Sequence, residues 1–443
     1  MKVLKFGGTS VGSPDRMKEV AKLVTNGDKN LVVLSAMSGT TNTLVEIADY
    51  LYKKNPEGAN DVINRLEKKY EEHLEALFTT SKYRDLTAAS LKEKFDTLRS
   101  TTKGLFTLFC EKIILAQGEL ISTTMFSFYL QEQGANVVLL PALEFMRIDK
   151  HDEPDAHYIQ EKLTAILEKK SDANVYVTQG FICSNSYGEI DNLKRGGSDY
   201  TASLIGAAVN ATEIQIWTDI DGMHDNDPRY VEKTSPVRRL HFEEAAELAY
   251  FGAKILHPTC IQPAKFANIP VRLLNTLDPS APGTIISNDT EKHKIKAVAA
   301  KEDITAIRIK SSRMLLAYGF LRKVFEIFET YHTPIDMVCT SEVGISVTID
   351  NTEYLSNILA DLKKYGTLTV DNDLCIICVV GDLQWENVGF EALALDALKN
   401  IPVRMVSYGG SNYNISFLVR KDDKQAALQA LSDTLFNKAC TES

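Results

Sequence analysis

No basic stripe runs along this 443-residue chain, whose formal net charge is −10. A general nucleic-acid binder gathers lysines and arginines on one face to offset the phosphate backbone, so that class is excluded. A local nest of N–H groups can still hold a nucleotide against a global negative charge. Cysteine is sparse and unpatterned: Cys110, Cys183, Cys260, Cys339, Cys375, Cys378 and Cys440, an odd number. Neither a disulfide framework nor a zinc site fits that spacing. Cys375 and Cys378 form a C-x-x-C, but strand alternation points their thiols to opposite faces. Reduced thiols of a cytoplasmic protein are expected. No apolar run approaches the roughly 20 residues that span a bilayer, and no signal peptide precedes the first strand. A cytoplasmic protein with neither membrane nor nucleic acid as partner is therefore expected. No cluster of His, Asp and Glu has the spacing of a protein metal cage, so no protein metal ligands are assigned.

What is present is ordinary globular material, 44% hydrophobic and 24% charged, in a length that favours two or three domains. Strand and helix patterns alternate from the start: strand at 3–6, helix at 13–26, strand at 30–35, helix at 41–54. Further strands are read at 137–140, 175–178 and 213–218. This rhythm predicts an α/β fold, a mainly parallel sheet sandwiched by helices. Residues 56–112 are rich in Glu, Lys and Leu at helical spacing and read as a helical excursion. The Pro- and polar-rich stretch 275–293 marks a boundary. Beyond it, Pro334-Ile335-Asp336-Met337-Val338 and Ile401-Pro402-Val403-Arg404-Met405-Val406 recur in order about 70 residues apart, as expected for two ferredoxin-like α+β units. The expected domains are 1–292, 293–370 and 371–443.

Several junctions carry chemistry. Lys5-Phe6-Gly7-Gly8-Thr9-Ser10 lies between the first strand and the first helix. Paired glycines let a ligand approach the backbone, the helix start favours an anion, and Lys5 adds a full charge. A tight turn is the plainer reading of Gly7-Gly8. Neither the dinucleotide fingerprint nor the Walker pattern is met. Lys194-Arg195-Gly196-Gly197-Ser198-Asp199 is a second cationic glycine pair, in which Arg195 suits a carboxylate or phosphate and Asp199 is also a plausible first-turn acid. Trp217-Thr218-Asp219-Ile220-Asp221-Gly222 sits at a strand's carboxyl end, where open α/β sheets bind ligands, although Asp-Gly is also a turn dipeptide. Arg229 follows shortly after. Ser35 to Asn42 is another strand-to-helix junction rich in hydroxyls. Glu119 opens an apolar helix, and Lys254 stands beside Gly252-Ala253; alone, they read as a first-turn acid and a surface lysine.

Taken together, stretches 5–12, 117–122, Gly180-Phe181-Ile182, 195–201, Trp217-Thr218-Asp219 and 251–258 resemble, in order and over nearly the whole chain, the aspartate kinases of the amino-acid kinase family. The resemblance implies the amino-acid kinase fold followed by two ACT domains, with ATP and Mg²⁺ as cofactors and L-aspartate as substrate. It implies Ser35, Thr41, Glu119, Arg195 and Ser198 for aspartate, and Lys5, Gly7, Gly8, Thr218, Asp219, Arg229 and Lys254 for ATP. It implies Lys5 and Asp199 as the catalytic pair. An amino-acid effector, lysine or threonine, is expected between 314–321 and 335–342: Met314, Phe320, Leu321, Ile335, Asp336, Thr340, Ser341 and Glu342. A homodimer or higher oligomer through the ACT domains is expected. Two positions depart from lysine-inhibited members, His224 where they often carry Tyr and Ala317 where they tend to carry a hydroxyl. With its end at Ser443, the chain is expected to be monofunctional. Two alternatives remain at this point: a kinase acting on acetylglutamate or a nucleoside monophosphate, and an amino-acid sensor without catalysis.

Overall fold

Alternation along the first strand decides the layering. In β1 (Lys2–Phe6), Leu4 and Phe6 point into one apolar layer, while Val3 and Lys5 point to the opposite face. The computed structural model describes residues 1–193, 196–252, 257–311 and 318–436. They fall into two compact units, the first comprising 1–223 and 255–288, the second 224–254 and 289–443.

In the first unit α1 (Pro14–Val24) is capped by Ser13, whose side chain accepts from Arg16 N. β2 (Asn30–Leu34) and α2 (Thr40–Tyr52) follow. The helical excursion resolves into α3 (Pro56–Leu77) and α4 (Ser81–Thr101), and then the long α5 (Leu108–Glu132). After it come β3 (Val137–Leu140), α6 (Ala156–Lys169), β4 (Val175–Gln179), a small hairpin of β5 (Ile182–Ser184) and β6 (Ile190–Asn192), α7 (Gly197–Ala208) and β7 (Ile214–Thr218). Short strands β8 (Met223–His224), β9 (Pro236–Val237) and β10 (Arg239–His241) lead to α8 (Phe242–Tyr250), then α9 (Pro258–Phe266), β11 (Val271–Asn275) and β12 (Thr284–Ser287). The sheet runs β12-β11-β7-β1-β2-β4-β3. Only the β11–β12 pair among these neighbours is antiparallel. On one face Phe6, Val32, Leu34 and Val177 meet Met17, Leu44, Leu66, Phe95, Ile121 and Phe126 of α1 to α5.

α5 corrects one expectation. It is long and apolar enough to cross a membrane, because short polar interruptions such as Gln117 and Glu119 hide its hydropathy in a run count. It is the core helix of the first unit, with 78% of its most apolar window buried.

The second unit is built on two long strands, β13 (Ile295–Lys310) and β16 (Thr367–Gly381). Between them lie α10 (Phe320–Thr330), β14 (Val338–Ser341), β15 (Gly344–Ile349) and α11 (Leu355–Leu362). After β16 come α12 (Phe390–Ala397), β17 (Met405–Ser407), β18 (Asn414–Arg420) and α13 (Lys424–Leu435). The sheet order is β14-β15-β13-β16-β18-β17. Each long strand is interrupted, at Asp303 and Asp373, by a residue with φ near +60° and a register shift between Lys301 and Ile304. The interruption separates two cores. Ile307, Ile309, Val324, Phe328, Val347 and Ile358 form one, and Val298, Cys375, Ile377, Phe390, Phe417 and Leu431 the other.

The expected division at 292 and 370 therefore differs from the structure in two places. Residues 224–254 cluster with the C-terminal unit. The first half of β13 pairs with the second half of β16 and contributes Val298 to the second core, so the two ferredoxin-like layers are nested rather than consecutive. Polar residues at 301–303 and 371–373 concealed the continuity of both strands.

Candidate active site

The carboxyl ends of β1 and β2 gather the charged residues of the first unit. Lys5 is the last residue of β1 on the face covered by α7, and its Nζ lies 2.7 Å from Asp199 Oδ1 in the first turn of that helix. Both side chains are largely shielded, 12% and 17% exposed. Gly7 follows at once; a Cβ there would sit 3.4 Å from Lys5 Nζ, so the ammonium flanks the glycine loop. Gly8 is required by crowding, because a Cβ would lie 2.8 Å from Ala36 O. Ser38 N donates to Gly8 O and Val11 N to Gly7 O, which fixes the loop. The N–H groups of Gly8 and Thr9 have no acceptor among the described residues. Two free donors beside a shielded ammonium are the chemistry that suits an anion.

The β2 end adds a second set. Ser35 Oγ donates to Ser198 Oγ at 2.9 Å, and Ser122 Oγ of α5 donates to Ser35 O at 2.8 Å. Glu119, one turn earlier on α5, is 5% exposed, and its Oε1 accepts from Ala36 N at 3.1 Å. Burial pushes this carboxyl up to about 7, against the opposing pull of the Ala36 N–H. Gly118 beneath it makes room for Ala36. Thr41 is exposed on the first turn of α2, whereas its neighbour Thr40 is buried and bonded to Tyr70 OH.

At the end of β7, Thr218 Oγ1 and Ile220 N form a local turn at 3.2 Å, and the Thr218 carbonyl accepts from Thr276. Asp219 is exposed beside it. Gly7 N donates to Trp217 O, which ties the β7 end to the glycine loop. The structure thus brings together Lys5, Gly7, Gly8, Ser35, Glu119, Ser198 and Asp199, with Thr218 and Asp219 on the adjoining strand. Arg195 and Lys254 lie outside the described residues. Arg229 belongs to the second unit, where Asp227 holds its guanidinium at 2.6 Å on an exposed turn. Sequence reading missed the Ala36 amide and Ser122, whose roles depend on strand ends meeting α5 across more than 80 residues. It also missed Thr276, which bonds Ser10 Oγ at 2.7 Å.

In the second unit, Met314 lies outside the described residues, as does Ala317. Phe320 is 7% exposed and belongs to the core with Val324. Leu321 is exposed and Ile335 half-buried. Thr340 and Ser341 sit exposed on the edge strand β14, and Glu342 in the turn after it. The Asp336 side chain is 1% exposed; its Oδ1 accepts from Lys301 Nζ at 2.6 Å and Tyr250 OH at 2.8 Å. Its Oδ2 is buried without a partner among the described residues.

The chain resembles known proteins over nearly its whole length. Residues 1–275 match the amino acid kinase family, and residues 377–435 match the ACT domain. The chain is 35% identical to the chloroplastic aspartokinase 3 of Arabidopsis thaliana over 98% of its own length and 81% of that protein's. It is 31% identical to the lysine-sensitive aspartokinase 3 of Escherichia coli strain K12, over 98% and 99% of the two chains. The solved structure of E. coli aspartokinase III in complex with aspartate and ADP superposes with a TM-score of 0.82, at 31% identity over 98% of this chain and 100% of that one. The chain belongs to the aspartokinases of the amino acid kinase family.

Proposed function

We propose that this chain transfers the terminal phosphoryl group of ATP to the β-carboxylate of L-aspartate, giving 4-phospho-L-aspartate. The observation that carries the reading is the Lys5–Asp199 pair beside two unpaired loop N–H groups, with buried Glu119 at the next strand end. A β-carboxylate has a reference pKa near ~3.9 and is ionised at neutral pH, so the nucleophile needs no general base. The obstacle is repulsion between a carboxylate and a polyphosphate. Positioning and charge neutralisation remove it.

In this reading the Gly8 and Thr9 N–H groups and Lys5 hold the transferring phosphoryl group, and Lys5 acts on charge that grows during transfer. Asp199 keeps the Lys5 ammonium aimed at the loop. Arg195 grips the substrate α-carboxylate, Glu119 takes its ammonium group, and Ser35, Thr41 and Ser198 supply hydroxyls around it. Thr218, Asp219, Arg229 and Lys254 serve the nucleotide. ATP enters as its magnesium complex, with the metal carried mainly by phosphates and water. Glu119 favours aspartate over an acylated amine, which offers no cation to pair.

Feedback by an amino acid, lysine or threonine, is the proposed task of the C-terminal unit. Asp336 Oδ2, buried and unpartnered, supports an ammonium there. Assembly through the ACT layers and a cytoplasmic location complete the proposal. ADP release with L-aspartate, N-acetyl-L-glutamate and UMP as acceptors tests it; release with aspartate alone is expected, and release with either of the others instead would replace the reading.

A further inference from the structure

Arg16, in the first turn of α1, has a carbonyl and no carboxylate among its described partners. Asp15 beside it pairs with Lys18 at 3.3 Å. The Arg16 backbone N–H donates to Ser13 Oγ, and its Nη1 donates back across the loop to Thr9 O. Gly12 leaves room for that reach: a Cβ there would sit 3.0 Å from Gly8 O and 3.5 Å from Thr9 O. Three successive carbonyls of the glycine loop are thereby held. Gly7 O accepts from Ser10 N and Val11 N, Gly8 O from Ser38 N, and Thr9 O from Arg16. A peptide is planar, so a held carbonyl also fixes the N–H across the same bond. The Gly7 carbonyl sets the Gly8 N–H, and the Gly8 carbonyl sets the Thr9 N–H. Arg16 holds the third peptide and ties the loop to α1; Thr9 itself is exposed, so no packing replaces the bond. The other N–H groups of the guanidinium have no acceptor among the described residues. Backbone dimensions put its Nη1 within about 7 Å of the Thr9 N–H. An uncompensated positive charge at that distance raises the potential where the two free donors point.

We propose that Arg16 is a positioning residue for the nucleotide phosphates: its bond to Thr9 O holds the glycine loop in the form that leaves the Gly8 and Thr9 N–H groups free for an anion, and its charge favours that anion. This rests on the phosphate role given to the loop above. Releasing the Thr9 carbonyl lowers the fraction of molecules whose loop is correctly set, and apparent affinity for the nucleotide falls by that fraction. The aspartate side, built on Ser35, Glu119 and Ser198, does not depend on the bond.

The test pairs steady-state kinetics with calorimetric titration of MgATP, both on the full-length chain. Arg16→Met removes the hydrogen bond and the charge; Arg16→Lys keeps a charged donor for Thr9 O. The Met variant is expected to weaken MgATP binding and raise the ATP KM about three- to tenfold, while the aspartate KM stays within about twofold. The Lys variant is expected to bind MgATP within about twofold of the parent. A residue that only stabilised α1 would lower the melting temperature and leave MgATP binding unchanged. Normal MgATP binding in the folded Met variant, or a Lys variant as weak as Met, would overturn the inference while leaving the kinase reading intact. A parent enzyme that releases no ADP with aspartate would instead overturn the kinase reading, and the titration would still decide the role of Arg16. If Arg16→Met does not fold, Arg16→Ala takes its place.

Discussion

Lys5 Nζ and Asp199 Oδ1 are 2.7 Å apart although their residues are separated by most of the first unit. The pairing follows from two local facts. Alternation puts Lys5 on the α7 face of β1, and Gly196, in the left-handed region, starts α7 so that Asp199 falls in its first turn. The carboxylate holds the Lys5 ammonium next to the glycine loop.

Replacing Lys5 by Met should therefore act on the transition state. A lost donor at developing charge typically costs about 10²–10³ in kcat. Steady-state assays of Lys5→Met should show a kcat drop of that order with both KM values within about threefold. An unchanged kcat in a folded variant would reduce Lys5 to a structural partner of Asp199.

Glu119 makes a pH prediction. Its free-enzyme carboxyl titrates near 7, and pairing with an ammonium needs the ionised form. The aspartate KM should fall as pH rises from about 6 to 8, while the ATP KM stays flat. Glu119→Gln should flatten the profile and raise the aspartate KM at least about tenfold. Stability runs the other way. The folded pKa is raised above the unfolded value of 4.5, so the contribution is full below about 4.5 and is lost as pH rises through about 7. Melting curves of the apo enzyme should decline over that window and those of the Gln variant should not. A parallel decline in both would assign the change to another group.

How much of this was legible in the sequence depends on the range of the interaction. β1, β2, β7 and the glycine loop were readable because their apolar runs and turn residues are local. The Ala36 and Ser122 partners of the site were not, because a strand end meets α5 only after the sheet has formed. In the second unit, 304–309 and 374–380 were read as strands, but the first half of β13, with core residue Val298, was not, because polar residues 301–303 separate it from the rest. There the chain bulges, with polar side chains such as Lys301 and Glu302 held in ion pairs. Phe320 was read as lining the apolar part of an effector site, within a helix that the sequence did show; in the fold it is the first core residue of α10, a packing role that depends on contacts distant in sequence.

Truncation after Thr290 shows the same limit. The charged stretch at 291–293 suggests a free-standing kinase domain. The structure gives α8 its partners in the C-terminal unit, among them Tyr413, Asn414 and Asp336. A 1–290 fragment should expose Phe242, Ala245 and Leu248 of α8 and be cut rapidly by protease within 224–254. A fragment as protease-resistant as the full chain would show that α8 finds its packing in the first unit.

Arg195→Ala should separate the two substrates. Loss of a charged hydrogen bond costs about 1.5–3 kcal/mol, which corresponds to an aspartate KM at least about tenfold higher with the ATP KM unchanged. A rise in the ATP KM alone would exchange the roles of the two glycine loops.

The most direct measurement of the central claim is trapping of the product. An acyl phosphate reacts with hydroxylamine, so the full-length protein is incubated with MgATP, hydroxylamine and L-aspartate, and hydroxamate and ADP are quantified together. The account predicts aspartate β-hydroxamate in equal amount to ADP, and neither product when aspartate is omitted. ADP formed without hydroxamate, or at the same rate without aspartate, would contradict it.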